Sequence, residues 1–157
     1  MKTAHRKQAK VKRKWQKDPA AMGRVFARTQ PYTQAEQAHL AIPAYDSLNR
    51  ITSGQGEPKD IDILGTVINI SLVLSEATHP ECVNACLDAA LAAINAKARW
   101  KKMHRIGFDG PGLEAVRVVL DIYDQYLQTI TPLQHQRAMV KVNERIANGQ
   151  FLKESAD

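Results

Sequence analysis

The sequence is poor in the residues that crosslink a chain or carry it through a membrane. Its only two cysteines, Cys82 and Cys86, are four residues apart, so we predict neighbours on one helix rather than a disulfide. A reducing compartment and a cytoplasmic location fit this composition. The longest apolar run, near 68–74, is interrupted by Asn69 and Ser71 and is far shorter than the roughly 20 residues of a membrane span. We therefore expect no membrane partner.

The sequence also lacks the motifs that mark common classes of enzyme. The glycines of Gly54-Gln55-Gly56 and of residues 110–112 have neither the preceding strand nor the lysine that a nucleotide-binding loop requires. No serine or cysteine stands in a nucleophile motif. We therefore predict a non-enzymatic protein without a cofactor.

Three short clusters contain side chains that can bind metals: Asp60 with Asp62, Asp121 with Asp124, and Cys82 and Cys86 with His79. Asp60 and Asp62 lie where a helix N-terminus favours acids, and Asp121 and Asp124 lie opposite an apolar helical face, where solvent reaches them. Two cysteines and a histidine supply three ligands, whereas a structural zinc site uses four. Buried cysteines acting as small apolar residues explain the third cluster better. We predict no metal site.

Acidic residues are scarce in residues 1–28, where ten Lys and Arg accompany one acid, Asp18, for a net charge of +9. Residues 29–157 contain twelve Lys and Arg and fifteen Asp and Glu, a net charge of −3. The overall charge of +6 therefore comes from the N-terminus. We predict a basic arm with a transition over 1–28, disordered by itself through residue 18, and a helical domain over 29–157.

Six cations and one aromatic residue crowd into a short stretch of the arm: Lys7, Lys10, Lys12, Arg13, Lys14 and Lys17, with Trp15. Cations neutralise phosphates and release counterions, and an exposed ring can stack on a base. This pattern predicts a contact with nucleic acid that tolerates any sequence. A solubilising or targeting tail, or a segment that docks on an acidic protein surface, remains an alternative.

A second group of cations stands near the predicted end of the third helix: Lys97, Arg99, Lys101, Lys102 and Arg105, with Trp100 and His104 among them. Cations near a helix C-terminus complement the helix dipole, which explains part of this group. Lys97, Lys101 and Arg105 would align on one helical face, with Lys102 beside them. These four are candidate phosphate ligands, and Trp100 is either a core residue or a stacking platform.

Capping residues, prolines and glycines divide the body into five predicted helices, for an all-α fold arranged as a single compact bundle. Two pairs have capping-box spacing: Thr33 with Glu36 and Thr131 with Gln134. Pro58 and Pro80 are placed to begin helices and Gly107 to end one. Pro43, inside the first helix, predicts a kink or a break.

Apolar residues at helical spacing predict which faces point inward. Residues 61–74 are apolar on nearly all sides, and their length favours a central helix over a buried strand. In the first and fourth helices we expect burial of Leu40, Ala44, Leu48 and Ile51, and of Leu113, Val116, Leu120, Tyr123, Leu127 and Ile130. In the third and fifth helices we expect burial of Val83, Leu87, Ala90, Leu91, Ile94 and Ala98, and of Met139, Val142 and Ile146.

Three stretches carry a resemblance: AYDSLNRITSGQGEPKDIDILGTVINISLVLSE (44–76), GFDGPGLEA (107–115) and TPLQHQRAM (131–139). They resemble small helical proteins encoded on phages, prophages and plasmids of proteobacteria. The likeness runs through the body rather than the arm, and its motifs include no catalytic signature. It implies an accessory protein of a mobile element, with a role in host takeover, regulation or counter-defence.

These observations predict a non-enzymatic accessory or regulatory protein that contacts nucleic acid, or a nucleoprotein complex, through its basic arm and the 97–105 cluster. A first alternative is an inhibitor that docks through a helix surface on a host protein. A second is an enzyme of unknown class, which a deep polar pocket with converging acids or histidines would indicate. An apolar stripe left uncovered would indicate a homo-oligomer.

Overall fold

Five α-helices make up most of the described part of the chain, which is residues 24–25 and 27–150 of this computed structural model. They are α1 (Gln34–Thr52), α2 (Pro58–Thr78), α3 (Val83–Met103), α4 (Gly110–Thr129) and α5 (Pro132–Ala147), with a 3-10 turn at Pro80–Cys82. No strand occurs in these ranges. The all-α prediction is confirmed there, whereas the arm predicted over residues 1–18 lies outside the described residues.

Two helices begin at the predicted capping boxes. Ahead of α1, the Thr33 amide donates to the Glu36 carboxylate at 2.8 Å, and the Thr33 hydroxyl accepts from the Glu36 amide. Ahead of α5, the Thr131 amide donates to the Gln134 side chain at 2.8 Å, and the Gln134 amide donates to the Thr131 hydroxyl at 3.2 Å. Each box satisfies amides that have no partner inside the helix, so these starting points are fixed locally.

Pro43 lies in the middle of α1, and the helix continues through it without the break that the sequence allowed. Proline leaves the carbonyl four residues earlier without its usual donor. That residue is His39, which is exposed, so water can hydrogen-bond to its carbonyl. The buried face of α1, formed by Ala44, Leu48 and Ile51, is the predicted one.

The second helix, α2, lies at the centre of the described fold. It packs against α1, α3, α4 and α5 and buries Leu64, Ile68 and Ile70 among others, while the side that carries Asp62, Thr66 and Glu76 is exposed. The prediction of a central helix is confirmed, and the strand alternative is excluded. Among the described helices, α2 alone is long and apolar enough to span a membrane, with a mean hydropathy of 1.4 over its most apolar window, half of which is buried in the protein. A core helix of a soluble protein has the same character.

The third helix turns its small residues inward. Cys86, Ala89, Ala93 and Ala96 are buried, whereas no member of the predicted stripe is fully buried and Leu91 is 54% exposed. The predicted inward face of α3 is therefore wrong. Small side chains let α3 approach α2 and α4 closely, and a Cβ added at Gly112 of α4 would lie 3.1 Å from the Cβ of Ala92. Because the helices pack closely, the face of α3 with small alanine side chains is buried, and the face with larger leucine and isoleucine side chains is not.

The last two helices differ in how well their apolar stripes predict burial. In α4 the predicted stripe is buried from Val116 to Ile130, with Leu113 half-buried. In α5 the stripe is mostly wrong, because Val142 is buried while Met139 and Ile146 are exposed. His135 and Ala138 are the other buried residues of α5. The short, strongly polar α5 thus contacts α2 through a narrow face.

Candidate nucleic-acid interface and neighbouring sites

The basic cluster of residues 97–105 straddles the end of α3. The helix ends at Met103, and His104 caps it in the left-handed conformation, with φ of 51°. The prediction that the helix continues to Gly107 is wrong. Lys97 and Lys101 share a helical face, but Arg105 lies beyond the helix and does not extend that row.

Lys97 and Arg99 of this cluster form ion pairs with other described residues. The Lys97 ammonium lies 2.9 Å from an Asp62 carboxylate oxygen and so links α3 to α2. The Arg99 guanidinium donates to the Gly107 carbonyl at 3.1 Å and pairs with Asp109 at 3.5 Å. Arg99 therefore holds the connection between α3 and α4, and its role is structural.

The remaining cations of the cluster, Lys101, Lys102 and Arg105, are exposed at the end of α3. No ion pair within the described ranges involves Lys102 or Arg105. Met103, between them, is 60% exposed. Trp100 is half-buried, and its ring meets that of His104 edge-on with centroids 6.3 Å apart. This end of the body thus exposes positive charge beside an apolar and an aromatic side chain.

The candidate residues of the arm lie outside the described residues. They are Lys7, Lys10, Lys12, Arg13, Lys14, Trp15 and Lys17. Their prediction as nucleic-acid contacts stays a prediction, as does that for Lys97, Lys101, Lys102 and Arg105.

The two cysteines are free thiols at the start of α3. Cys86 is buried with its sulfur 3.7 Å from the Ser75 hydroxyl, and burial raises the pKa of this thiol. A thiol that stays protonated at neutral pH is a poor nucleophile and a poor metal ligand. His79 pairs with Glu81 at 3.2 Å. Among residues 24–25 and 27–150, no group of three or more potential ligands is arranged to hold a metal ion.

Asp60 is a buried acid that forms an ion pair with the partly exposed Arg50, which the sequence did not predict. Its side chain is fully buried, and one carboxylate oxygen accepts from two guanidinium nitrogens of Arg50 in α1, with Nε at 2.9 Å. Its other oxygen accepts from the Glu57 amide at 2.8 Å, which caps α2. The Arg50 hydrogen bonds lower the pKa of Asp60 despite the opposing effect of burial, and the bond from the Glu57 amide adds to this. Asp60 therefore fastens α1 to the start of α2.

The acidic pair in α4 lies on the surface, as expected, but one member has a partner. The Tyr45 hydroxyl of α1 donates to an Asp124 carboxylate oxygen at 2.7 Å. Burial and this hydrogen bond raise the pKa of Tyr45. Asp121 is exposed. Asp124 thus joins α1 to α4.

A buried histidine connects the segment before α1 to α4 and α5. The Nδ1 atom of His135 lies 2.9 Å from the Tyr32 hydroxyl, and its Nε2 atom lies 3.4 Å from the Tyr123 hydroxyl. Tyr32 packs edge-on against the ring, with centroids 5.8 Å apart. Burial lowers the pKa of His135, so the folded protein favours the neutral ring. This contact joins residues 103 positions apart in the chain.

Because His135 has a lowered pKa, the folded protein is expected to lose stability in acid. Below about pH 6.5 the unfolded chain binds a proton at this residue more readily than the folded protein does. The loss therefore begins as the pH falls through about 6.5 and levels off below the folded-state pKa. Urea denaturation should give a smaller free energy of unfolding at pH 5 than at pH 7.

The variant His135→Gln should weaken that pH dependence. The matched control is His104→Asn, which changes an exposed histidine and suits the left-handed backbone. The control should keep the pH dependence of the unmodified chain. An identical pH profile for His135→Gln and the unmodified protein would contradict the assignment.

An open groove of about 680 Å³ lies between α2, α3 and α5. Its walls are mainly apolar and include Leu72 of α2, Leu87 and Ile94 of α3, and Ile146 of α5. Leu87 and Ile94, which the sequence placed in the core, therefore form part of one wall of the groove. Its rim carries two ion pairs, Asp62 with Lys97 and Glu76 with Arg145. The charges of these pairs are thus neutralised, and the lining is mainly apolar, with Thr66 and Asn69 as polar members.

Comparison with protein-family models, with curated proteins and with solved structures finds no match to this chain. A function for the chain is therefore inferred from the chemistry of these sites.

Proposed function

We propose that the chain is a non-enzymatic accessory or regulatory protein of a mobile element, acting in the cytoplasm. It contacts nucleic acid, or a nucleoprotein complex, through its basic arm and the exposed end of α3. The observation that carries this proposal is the exposed pair Lys102 and Arg105, which have no ion pair within the described ranges. The helical body acts as one compact bundle that holds this end of α3 in place.

The two basic regions contribute differently to binding. The arm carries a net charge of +9 and supplies long-range attraction and counterion release on contact with phosphates. The end of α3 adds fixed cations beside Trp100, whose partly exposed ring can meet an unpaired base. Because the candidate contacts are mainly lysines, which neutralise phosphates, the contact follows the backbone and tolerates any sequence.

The variant K102E/R105E tests the part played by α3. Each phosphate that a cation neutralises contributes about 0.7 to the slope of log affinity against log salt on single strands, and about 0.9 on duplex DNA. We expect the slope to fall by about 1.4 to 1.8 if both cations neutralise phosphates. Fluorescence anisotropy with labelled single-stranded RNA, single-stranded DNA and duplex DNA across a salt series measures this slope.

The charge-matched control is R137E/K141E, which reverses two exposed cations one turn apart on α5. It should leave the slope nearly unchanged. Equal reductions of the slope in the two variants would mean that net charge alone matters, and the end of α3 would then have no specific role. An interaction with a host component that survives nuclease treatment and arm removal would contradict the proposal and favour the protein-docking alternative.

A further inference from the structure

The groove between α2, α3 and α5 exposes a set of large apolar side chains that sequence periodicity assigns to a core. Leu87 and Ile94 are half-buried in one wall, while Ile146 in the other wall is 51% exposed. Both α3 and α5 pack against α2, and the groove is the space that separates them. Burying such side chains contributes about 25 cal/mol per Å² of apolar area removed from water. The groove therefore favours an apolar occupant.

The end of α5 directs the chain toward this groove. The Gly149 amide donates to the Ile146 carbonyl at 3.1 Å, and the Gln150 amide donates to the Arg145 carbonyl at 2.8 Å. Gly149 adopts φ of 67°, which completes the Schellman turn that reverses the chain at a helix C-terminus. Gln150 then lies on the groove, among its lining residues.

The next two residues along the chain are Phe151 and Leu152, which are followed by the polar sequence Lys-Glu-Ser-Ala-Asp. Each residue extends a chain by at most about 3.3–3.6 Å, so Phe151 is one residue from a position already on the groove. Tethering at Gln150 gives these side chains a high effective concentration there, compared with any separate molecule. A bulky aromatic and a leucine match the mainly apolar lining of the groove.

We propose that Phe151 and Leu152 occupy the groove between α2, α3 and α5, so that the chain covers its own docking surface. The occupant contacts Leu87 and Ile94 on one side and Ile146 on the other. A separate apolar helix, or a second copy of the protein, would have to displace this segment before it could bind. This role of the groove is independent of the proposed contact with nucleic acid.

The variant F151A/L152A tests the proposal in the full-length chain. Methyl NMR spectra of isoleucine-, leucine- and valine-labelled protein should show shift changes at Leu72, Leu87, Ile94 and Ile146, because aromatic ring currents and packing are removed. The matched control K153A/E154A changes the two following polar residues and should leave these methyl signals in place. Changes confined to the residues beside the substitutions would overturn the proposal.

A second variant, Ile94→Glu, tests the groove from the other side. A carboxylate in the apolar wall should release the segment, and chymotrypsin should then cleave after Phe151 about tenfold faster, since cleavage tracks the open population. Circular dichroism checks that the helices remain, and Leu91→Glu, outside the groove lining, is the control. An unchanged cleavage rate in Ile94→Glu would overturn the proposal.

Dilution distinguishes a segment that binds the groove of its own chain from a segment that is supplied by a second copy of the protein. Light scattering should give a monomer mass, and the methyl shifts of the unmodified protein should not change on dilution if the segment binds its own chain. Shifts that approach those of F151A/L152A on dilution, together with a dimer mass, would show that a second copy supplies the segment and would overturn the proposal.

Discussion

Charge reversal of three neighbouring arm residues, K12E/R13E/K14E, is expected to reduce nucleic-acid affinity on the order of 100- to 1,000-fold at about 50 mM salt. The slope of log affinity against log salt should fall by about 2 to 3, since each neutralised phosphate contributes about 0.7 to 0.9. The reason is the concentration of positive charge in residues 1–28, against a net negative remainder. Fluorescence anisotropy over a salt series measures both quantities.

The control for this variant is R117E/R137E/K141E, which makes the same change in net charge at exposed positions of α4 and α5. It should lower the affinity only modestly, and the slope of log affinity against log salt should stay close to that of the unmodified protein. The variant Trp15→Ala complements the pair, because removal of a ring that stacks on a base should weaken binding with little change of slope. An unaltered slope in K12E/R13E/K14E would count decisively against a phosphate contact by the arm.

Asp60→Ala is expected to destabilise the fold more than substitution of any exposed acid of the described helices. It removes the acceptor for two Arg50 hydrogen bonds and for the Glu57 amide at the start of α2. Removal of a buried hydrogen-bonded carboxylate and of a helix cap together should lower the free energy of unfolding by about 3 kcal/mol. For a chain of this size that corresponds to a fall in Tm of roughly 6–12 °C, measurable by calorimetry.

Two further variants distinguish the effect of the Asp60 charge from the effect of its hydrogen bond to the Glu57 amide, and from the loss of a nearby exposed ion pair. Asp60→Asn retains an oxygen that can accept from the Glu57 amide but removes the charge, so it should lose less stability than Asp60→Ala. Asp62→Ala, two residues along the same helix, removes only the exposed pair with Lys97 and should cost less than about 1 kcal/mol. Equal losses of stability for Asp60→Ala and Asp62→Ala would refute the assignment of Asp60 as the link between α1 and α2.

The helix boundaries that the sequence predicted correctly all depend on local chemistry. The Thr33 and Thr131 caps involve residues three positions apart, and Pro58 begins α2 where its missing amide causes no loss. The end of α3 was predicted too late, at Gly107. His104 adopts the left-handed conformation that a glycine usually takes, and composition gives no sign of this.

Periodicity predicted the buried faces of α1 and α4 but not that of α3. An alanine-rich helix offers two faces, one of large residues around Leu87 and Ile94 and one of small residues around Ala89 and Ala93. The first face is the more hydrophobic one, so periodicity predicts that it is buried in the core. Because α3 packs closely against both α2 and α4, only its face of small residues fits against them. The close packing, rather than hydrophobicity, therefore determines which face of α3 is buried.

The candidate site shows the same division between what is local and what is not. The sequence identified the basic residues near the end of α3, because they are neighbours in the chain. It could not separate Lys97 and Arg99, which pair with Asp62 and Asp109, from Lys102 and Arg105, which are exposed. Their partners lie up to 35 residues away, and only the packing of α3 against α2 and α4 brings them close.

The sequence by itself determined that this protein is helical, where its caps and its central apolar helix lie, and that positive charge is concentrated in its first 28 residues. These properties follow from short-range hydrogen bonding, from periodicity and from counting charges. The tertiary structure decided the rest: the burial of Asp60 beside Arg50, the contact of His135 with Tyr32, and the groove walled by Leu87 and Ile94 of α3. Each of these depends on contacts between residues distant in the chain, and pairing of that kind leaves no periodic signal in a single sequence.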